Sequence, residues 1–94
     1  YYNLMTNQIQ RKGDKNDAGA KIESTKQTFV KVGGEPVATD GDPVEGHGLP
    51  PHASPVTANG TAFVKIGGIP INRQNDDDSC GHTRDVGSPA VKIG

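Results

Sequence analysis

The sequence predicts an all-β domain built from small hairpins around an approximate threefold axis, with little or no helix. Glycine and proline are frequent, with 13 and 7 copies among 94 residues, and they leave little room for a long helix. Short runs alternate apolar and polar side chains, which is the pattern of half-buried strands. One such run recurs along the chain, and this indicates a repeated structural unit.

The strand of the repeat occurs first at residues 29–36, which read FVKVGGEP, and again at residues 63–70, which read FVKIGGIP. A third copy, AVKIG, occupies residues 90–94. Within each copy alternate side chains face opposite sides, so Lys31 and Val32 lie on different faces. The glycine pairs supply positive φ angles for a two-residue turn, and the proline begins a return strand. The repeat therefore predicts hairpins that bury their apolar faces together about a threefold axis.

A Gly-Asp corner forms the other half of each unit. It occurs as Gly13-Asp14, as Gly41-Asp42 and, in altered form, as Asn75-Asp76. A loop of variable length and composition connects each corner to the strand that follows it. The sequence therefore contains three copies of both halves of the unit.

Charge and hydropathy exclude several classes of function. Ten lysines and arginines against eleven acidic residues give a formal net charge of −1, so the chain lacks the basic excess of a nucleic-acid-binding protein. No window approaches the roughly 20 apolar residues that span a bilayer, and no charged-then-apolar leader opens the sequence. We therefore expect a protein that starts soluble in a cytoplasm, without a signal peptide or a transmembrane segment.

Histidine and cysteine are confined to two loops of the sequence. His47 and His52 lie in the loop of the second unit, and Cys80 and His82 lie in the loop of the third. Three imidazole nitrogens and one thiolate make a four-ligand set that suits zinc. Only 31% of the residues are hydrophobic, and a single cysteine forms no internal disulfide, so a metal would supply stability that a small core lacks. The alternative is solvated loop histidines and a small buried thiol.

Two charged patterns have simpler interpretations. The three consecutive aspartates at residues 76–78 lack the central glycine and terminal glutamate of an EF-hand loop, so we expect a solvated acidic turn. Lys31, Lys65 and Lys92 recur at one position of the strand. They predict a solvent-facing ring that discourages edge pairing, or one that meets an acidic rim on a partner.

The order of these motifs matches the sequence pattern of a known family. A strand ending in glycine, a proline-led return strand and Gly-Asp-Pro occur as VGGEPVATDGDP at residues 32–43. Gly46-His47-Gly48 follows, and residues 87–91 read GSPAV. In this the chain resembles the PAAR-repeat proteins, which are named for a proline-alanine-alanine-arginine motif and sit on the tips of contractile-injection spikes. The four-letter motif itself is degenerate, since residues 36–39 read PVAT and residues 70–73 read PINR.

The resemblance implies a particular fold and metal site. It covers residues 11–94 and implies a short cone of β-hairpins with threefold pseudosymmetry, stapled by a metal at its apex. Residues 1–10 would form a separate N-terminal segment that need not be well ordered. The family's ligand set of three histidines and one cysteine carries over to four positions: His47, His52, Cys80 and His82. The resemblance implies structural zinc and leaves iron open.

The resemblance also implies a structural function and no enzymatic activity. One chain would cap and sharpen a trimeric β-helical spike of a phage tail or a type VI secretion machine, and help it pierce the target cell envelope mechanically. Three similar hairpins can cover the three strand edges that end such a trimer, which gives one chain per trimer. Val32, Ile66 and Ile93 are the candidates for contact with that trimer. The protein would reside at a virion tail tip, or in a bacterial cytoplasm before export on the spike.

Two other classes of function stay open. In a small zinc hydrolase, three of the four candidate residues would bind the metal, water would take the last position, and Glu45 would act as general base beside His47. A free-standing β-hairpin binding module is the second alternative. Four aromatic residues and no tryptophan disfavour sugar stacking in such a module.

Overall fold

The computed structural model describes residues 7–93, and all regular structure within that range is β. The strands are β1 (Asn7–Ile9), β2 (Lys31–Val32), β3 (Glu35–Pro36), β4 (Thr57–Ala58), β5 (Thr61–Ile66), β6 (Ile69–Ile71), β7 (Asp77–Asp78) and β8 (Ser88–Ile93). They form four two-stranded sheets with the pairings β1–β8, β2–β3, β4–β7 and β5–β6. The predicted all-β class is therefore confirmed. Within residues 7–93 the structure contains no helix long and apolar enough to cross a membrane.

Two hairpins form where the repeat predicts them. Strand β2 pairs antiparallel with β3, and β5 pairs antiparallel with β6. The φ angles are 61° and 87° at Gly33 and Gly34, and 60° and 80° at Gly67 and Gly68. Positive φ at both central residues is the conformation of a type I′ turn, which matches the twist of the flanking strands. The glycine pairs therefore act as the sequence predicts.

The third copy of the strand forms no hairpin of its own, because its partner comes from the other end of the chain. In the β1–β8 pair, Ile93 lies opposite Asn7 and Lys92 lies opposite Gln8. The same register brings Ile66 opposite Ile69 in the β5–β6 hairpin. The β1–β8 pair therefore replaces the third hairpin and needs no connecting turn.

This pairing changes the expected domain boundary. Residues 7–10, assigned from the sequence to a separate N-terminal segment, belong to the packed fold, because β1 pairs with β8 and Gln10 is fully buried. Residues 1–6 and Gly94 lie outside the described residues.

The centre of the fold contains a closed ring of three backbone hydrogen bonds. The Gln10 N–H donates to the Asn72 carbonyl (3.1 Å), the Asn72 N–H to the Ala38 carbonyl (2.9 Å), and the Ala38 N–H to the Gln10 carbonyl (2.9 Å). All three residues are 0% exposed, so each bond satisfies a donor and an acceptor that water cannot reach. Such a ring is consistent with a threefold axis, and the symmetry of the whole chain stays a prediction.

Each Gly-Asp corner has the same hydrogen bond. The aspartate carboxylate accepts a bond of 2.8 Å from the backbone N–H three positions earlier; the pairs are Asp14 with Arg11, Asp42 with Thr39, and Asp76 with Arg73. The residue before the aspartate has positive φ in every case: 91° at Gly13, 88° at Gly41 and 75° at Asn75. Asparagine tolerates this region better than most residues, which explains the altered third copy.

The apolar core consists of two small clusters. One contains Ile9, Val37 and Ile71, and three partly buried side chains pack against it: Val32, Ile66 and Ile93. The other contains Ala20, Ile22, Ala38 and Val44. On the opposite face of the strands Lys31, Lys65 and Lys92 are exposed. The last apolar residue of each strand copy is therefore partly buried and the lysine before it is exposed, but the alternation does not extend along the strands, since Val64 and Val91 are exposed as well.

Candidate metal centre

Three imidazole rings meet at one place in the fold. Their centroids lie 5.0 Å apart for His47 and His52, 4.9 Å for His47 and His82, and 5.0 Å for His52 and His82. The Cys80 Sγ lies 3.8 Å from the His47 Nε2. The fold thus brings together the four residues that the sequence singles out, although they come from two different loops.

Three of these residues already have the spacing of metal ligands. Ligand atoms of His47, His52 and Cys80 all lie within 4.8 Å of one another, and all three residues are partly buried. A sulfur about 2.3 Å and a nitrogen about 2.0–2.1 Å from one tetrahedral zinc are about 3.5 Å apart. The Cys80–His47 separation is close to that value. The three residues therefore lie close enough to bind a metal ion, and the His82 ring lies beside them.

Two tight loops present these side chains. In the first loop, the His47 N–H donates to the His52 carbonyl (2.8 Å) and the His52 N–H donates to the Leu49 carbonyl (2.7 Å). In the second, the Gly81 N–H donates to the Asp78 carbonyl (2.9 Å), and Gly81 has a φ of 95° that favours glycine. Both loops are closed by their own backbone bonds.

Hydrogen bonds on the outer nitrogens determine which histidine atoms are free. The His47 Nδ1–H donates to the Glu45 carbonyl (3.0 Å), and the His82 Nδ1–H donates to the Asp17 carboxylate (2.7 Å). Both acceptors are oxygens without a proton to give, so in each neutral ring the proton lies on Nδ1 and the Nε2 lone pair is left for a metal. The Nδ1 of His52 is buried and has no hydrogen-bond partner among the described residues. A bound metal ion would satisfy such a nitrogen, so the donor set fits a metal centre.

The first repeat has an equivalent turn without ligands. The Gly19 N–H donates to the Asn16 carbonyl (3.0 Å) and Gly19 has a φ of 83°, so residues 16–19 match residues 78–81. Ala18 occupies the place of Cys80, and Ala20 occupies the place of His82. From this turn Asp17 forms a hydrogen bond with one of the three histidines, His82. The sequence pattern did not identify Asp17, although aligning Asp14 with Asp76 would have matched these two turns.

A buried polar network lies next to the cysteine-bearing turn. Asp78 and Arg84 are 2% and 1% exposed, and the Arg84 Nε lies 3.6 Å from the Asp78 Oδ1. Asn16 Nδ2–H donates to the other Asp78 oxygen (2.8 Å), and an Arg84 Nη2–H donates to the Ala20 carbonyl (3.1 Å). Burial raises the pKa of Asp78, while the bond from Asn16 and the charge of Arg84 oppose the rise.

The expected solvated acidic turn at residues 76–78 is therefore wrong. Asp78 belongs to this buried network, and Asp76, which is also buried, is the capping carboxylate of the third corner. A run of charged residues on a surface loop is usually solvated, but here alternate aspartates point inward, where an arginine and backbone N–H groups receive them.

Fold and site together define a small all-β protein in which a histidine and cysteine cluster lies between the loops of different repeats. The family model of the PAAR motif matches residues 12–83, a range that includes all four residues of the cluster. The chain therefore belongs to the PAAR-motif family. The motif is associated with spike-tip proteins of contractile injection systems, and the family is structural and not enzymatic. No match to a curated protein was found.

Proposed function

We propose that this chain is the tip of a contractile-injection spike, which caps a trimeric β-helical protein and helps it pierce the envelope of a target cell. The membership in the PAAR-motif family carries the proposal. The cyclic ring of Gln10, Ala38 and Asn72 supports it, because each member of the ring follows one strand of a similar two-stranded unit. A trimer ends in three equivalent strand edges, and an asymmetric domain would cover only one of them well. One chain per trimer follows.

The docking surface in this proposal includes Val32, Ile66 and Ile93. These side chains pack against the cluster of Ile9, Val37 and Ile71 but stay partly exposed. Each comes from a different two-stranded unit, at the same position relative to the turn or chain end. Covering them with apolar side chains of a trimer would remove further apolar surface from water, which favours association.

The metal in this proposal is a structural zinc held by His47, His52, Cys80 and His82. A closed set of four protein ligands leaves no place for a reactive water. Zinc would cross-link the long loop of the second repeat to the turn of the third and so stiffen this end of the molecule under load. Iron is the alternative metal, which elemental analysis distinguishes.

No observation favours the hydrolase alternative. The general base that it requires, Glu45, is already engaged, because its Oε1 accepts a hydrogen bond of 2.9 Å from the Lys21 N–H. The carbonyl of Glu45 also accepts the bond that orients His47. Both contacts give Glu45 a role in holding the loop. We therefore assign the protein a structural role.

Two settings suit the proposed function, a virion tail tip and a type VI secretion spike that is loaded in the bacterial cytoplasm. The test is the same for both. Purified chain is mixed with the trimeric β-helical spike protein of the same system, and the complex is weighed by native mass spectrometry. We expect one chain per three spike subunits. No complex, or three chains per trimer, would overturn the proposal.

Matched variants locate the docking surface. Ile66→Asp adds a charge at the proposed surface and should abolish the complex, because a buried unpaired carboxylate is costly. Val86→Asp makes a similar change at a residue that is exposed elsewhere on the chain and should leave the complex intact. Thermal melts of both free variants verify that they fold. Loss of binding in Val86→Asp alone would place the surface elsewhere.

A further inference from the structure

We propose that Asp17 is a positioning residue for the metal centre, supplied by the one repeat that contributes no ligand. The inference rests on the proposed metal site and adds a fifth residue to it. In this role the Asp17 carboxylate holds the His82 imidazole in the orientation and the tautomer that present Nε2 to the ion. The first repeat thereby takes part in the centre without a histidine or cysteine of its own.

The contact itself is short. The His82 Nδ1–H donates to the Asp17 Oδ1 at 2.7 Å, across 65 positions of the sequence. Metal-bound histidines usually donate their other ring N–H to a carboxylate or a carbonyl, which fixes the ring orientation and the tautomer. In this cluster the carbonyl of Glu45 has that role for His47. Asp17 is therefore the side-chain counterpart of a contact that the backbone makes at the first ligand.

Backbone bonds on both sides of the contact hold Asp17 in place. The Asp17 N–H donates to the Thr83 carbonyl (2.9 Å), and the Asp85 N–H donates to the Lys15 carbonyl (3.0 Å). Between these bonds, Asn16 and Arg84 form an antiparallel bridge. The segment around Asp17 thus runs alongside the segment that follows His82. The Asp17 backbone is thus held beside this segment by bonds that involve neither the carboxylate nor the ring.

Exposure separates a positioning role from a contribution to folding. The Asp17 side chain is 56% exposed and the His82 side chain is 33% exposed. Pairs this open to water contribute little to the stability of a fold, since solvent screens them and both side chains lose conformational freedom. Removing the carboxylate should therefore weaken metal binding much more than it weakens the metal-free fold.

The turn that carries Asp17 supports this assignment. Residues 16–19 repeat the backbone of residues 78–81, but alanines occupy the positions of both ligands. Asp17 corresponds to Ser79, whose hydroxyl donates nothing to the cluster and instead accepts a bond from the Val56 N–H. The two turns thus have different roles in the proposed metal centre. One carries Cys80 and His82, and the other carries the carboxylate that orients His82.

The test compares the zinc affinity of Asp17→Ala and Asp17→Asn with that of the wild-type chain, by competition with a chromogenic chelator. We expect Asp17→Ala to bind zinc about 10–100-fold more weakly. Asp17→Asn should lose less, because its amide oxygen still accepts the Nδ1–H. Glu35→Ala is the matched control, since it removes one exposed carboxylate from strand β3 and should bind like wild type. Cobalt(II) absorption in the visible range reports the ligand geometry independently and should change in Asp17→Ala alone.

Melts of the metal-free proteins complete the test. Unchanged affinity and an unchanged cobalt spectrum in Asp17→Ala, beside a wild type that binds zinc, would overturn the role of Asp17 and leave the metal centre intact. A metal-free Asp17→Ala that melts far below the metal-free wild type would make the role structural and also overturn the inference. A wild type that binds no zinc would overturn the metal centre and this role together. If Asp17→Ala does not fold, the zinc affinity of Asp17→Asn is compared with that of the wild type instead. Weaker binding supports the role of Asp17, and equal binding overturns it.

Discussion

The Sγ of Cys80 lies 3.8 Å from the Nε2 of His47, although the two residues are 33 positions apart in the sequence. The Asp42 and Asp76 corners precede the two loops that carry these residues. In both corners the aspartate accepts a hydrogen bond of the same length from the backbone N–H three positions earlier. A repeat that positions its corners alike also positions the loops that follow. A metal at this contact would join two repeats of a chain whose described apolar core is small.

Removal of the metal should lower the thermal stability of the protein strongly. Structural zinc sites bind with apparent free energies of about 10 kcal/mol or more, and binding to the folded state alone stabilises that state. We expect excess chelator to lower the melting temperature by at least about 10 °C, and added zinc to restore it. Circular dichroism melts measure this. Equal melting temperatures with and without chelator would contradict it.

Gly13→Ala should destabilise the first corner through the backbone alone. Gly13 has a φ of 91°, and a Cβ built there meets no atom within 4 Å, so only conformational strain opposes the substitution. We expect a loss of about 1–3 kcal/mol in the free energy of unfolding. Lys12→Ala, at the exposed neighbour, should change it by less than about 0.5 kcal/mol. Urea denaturation measures both changes. A Gly13→Ala variant with the same free energy of unfolding as the wild type would disprove the corner geometry.

Breaking the buried ion pair should be costly, and replacing it should not. Arg84→Leu leaves the Asp78 carboxylate buried without its cation, which we expect to cost about 3–5 kcal/mol in the free energy of unfolding. Adding Asp78→Asn removes the unpaired charge and keeps an acceptor for Asn16, so the double variant should recover much of the loss. Denaturation of the metal-free proteins tests this. A double variant less stable than Arg84→Leu would show that the network has another role.

The corner aspartates should oppose acid denaturation of the metal-free protein. Burial raises the pKa of Asp14, Asp42 and Asp76 above the ordinary value of 3.8, although backbone hydrogen bonds act against the rise. Between the unfolded and the folded pKa, the folded state holds more protons. The contribution of these groups to the free energy of unfolding therefore rises as pH falls through the folded pKa and is lost as pH rises again.

Asp42→Asn isolates this effect. The variant has no carboxyl to titrate at that position, so the stability of the wild type relative to the variant should increase as pH falls from 7 toward 4. Urea denaturation at stepped pH, in chelator, gives this difference. A relative stability that decreases over the same range would mean that folding lowers the pKa of Asp42.

Much of the fold could be predicted because the repeat combines local signals. Glycine pairs specify the two hairpin turns, and a Gly-Asp or Asn-Asp pair specifies each corner. The third unit could not be predicted in this way, since the strand at residues 88–93 pairs with residues 7–9, which precede both hairpins in the sequence. Pairing between chain ends leaves no local pattern, because nothing about β1 resembles the proline-led return strands.

The candidate metal centre could likewise be predicted only in part. Residue type alone identified His47, His52, Cys80 and His82, because histidine and cysteine are scarce in the chain and serve few other purposes in loops. Asp17 and the buried Asp78–Arg84 pair were not identified, since aspartate and arginine are common on surfaces. Only the three-dimensional contact distinguishes a carboxylate that orients a histidine or neutralises a buried arginine from a solvated one.

The metal content of the purified chain tests the central claim most directly. Protein purified without added metal is analysed by inductively coupled plasma mass spectrometry, beside Cys80→Ser as the variant that removes the thiolate ligand. We predict close to one zinc per chain in the wild type and a large loss in the variant, together with a lower melting temperature. A wild type without zinc or iron, and a Cys80→Ser variant of equal stability, would contradict the metal centre and return these histidines and the cysteine to ordinary loop residues.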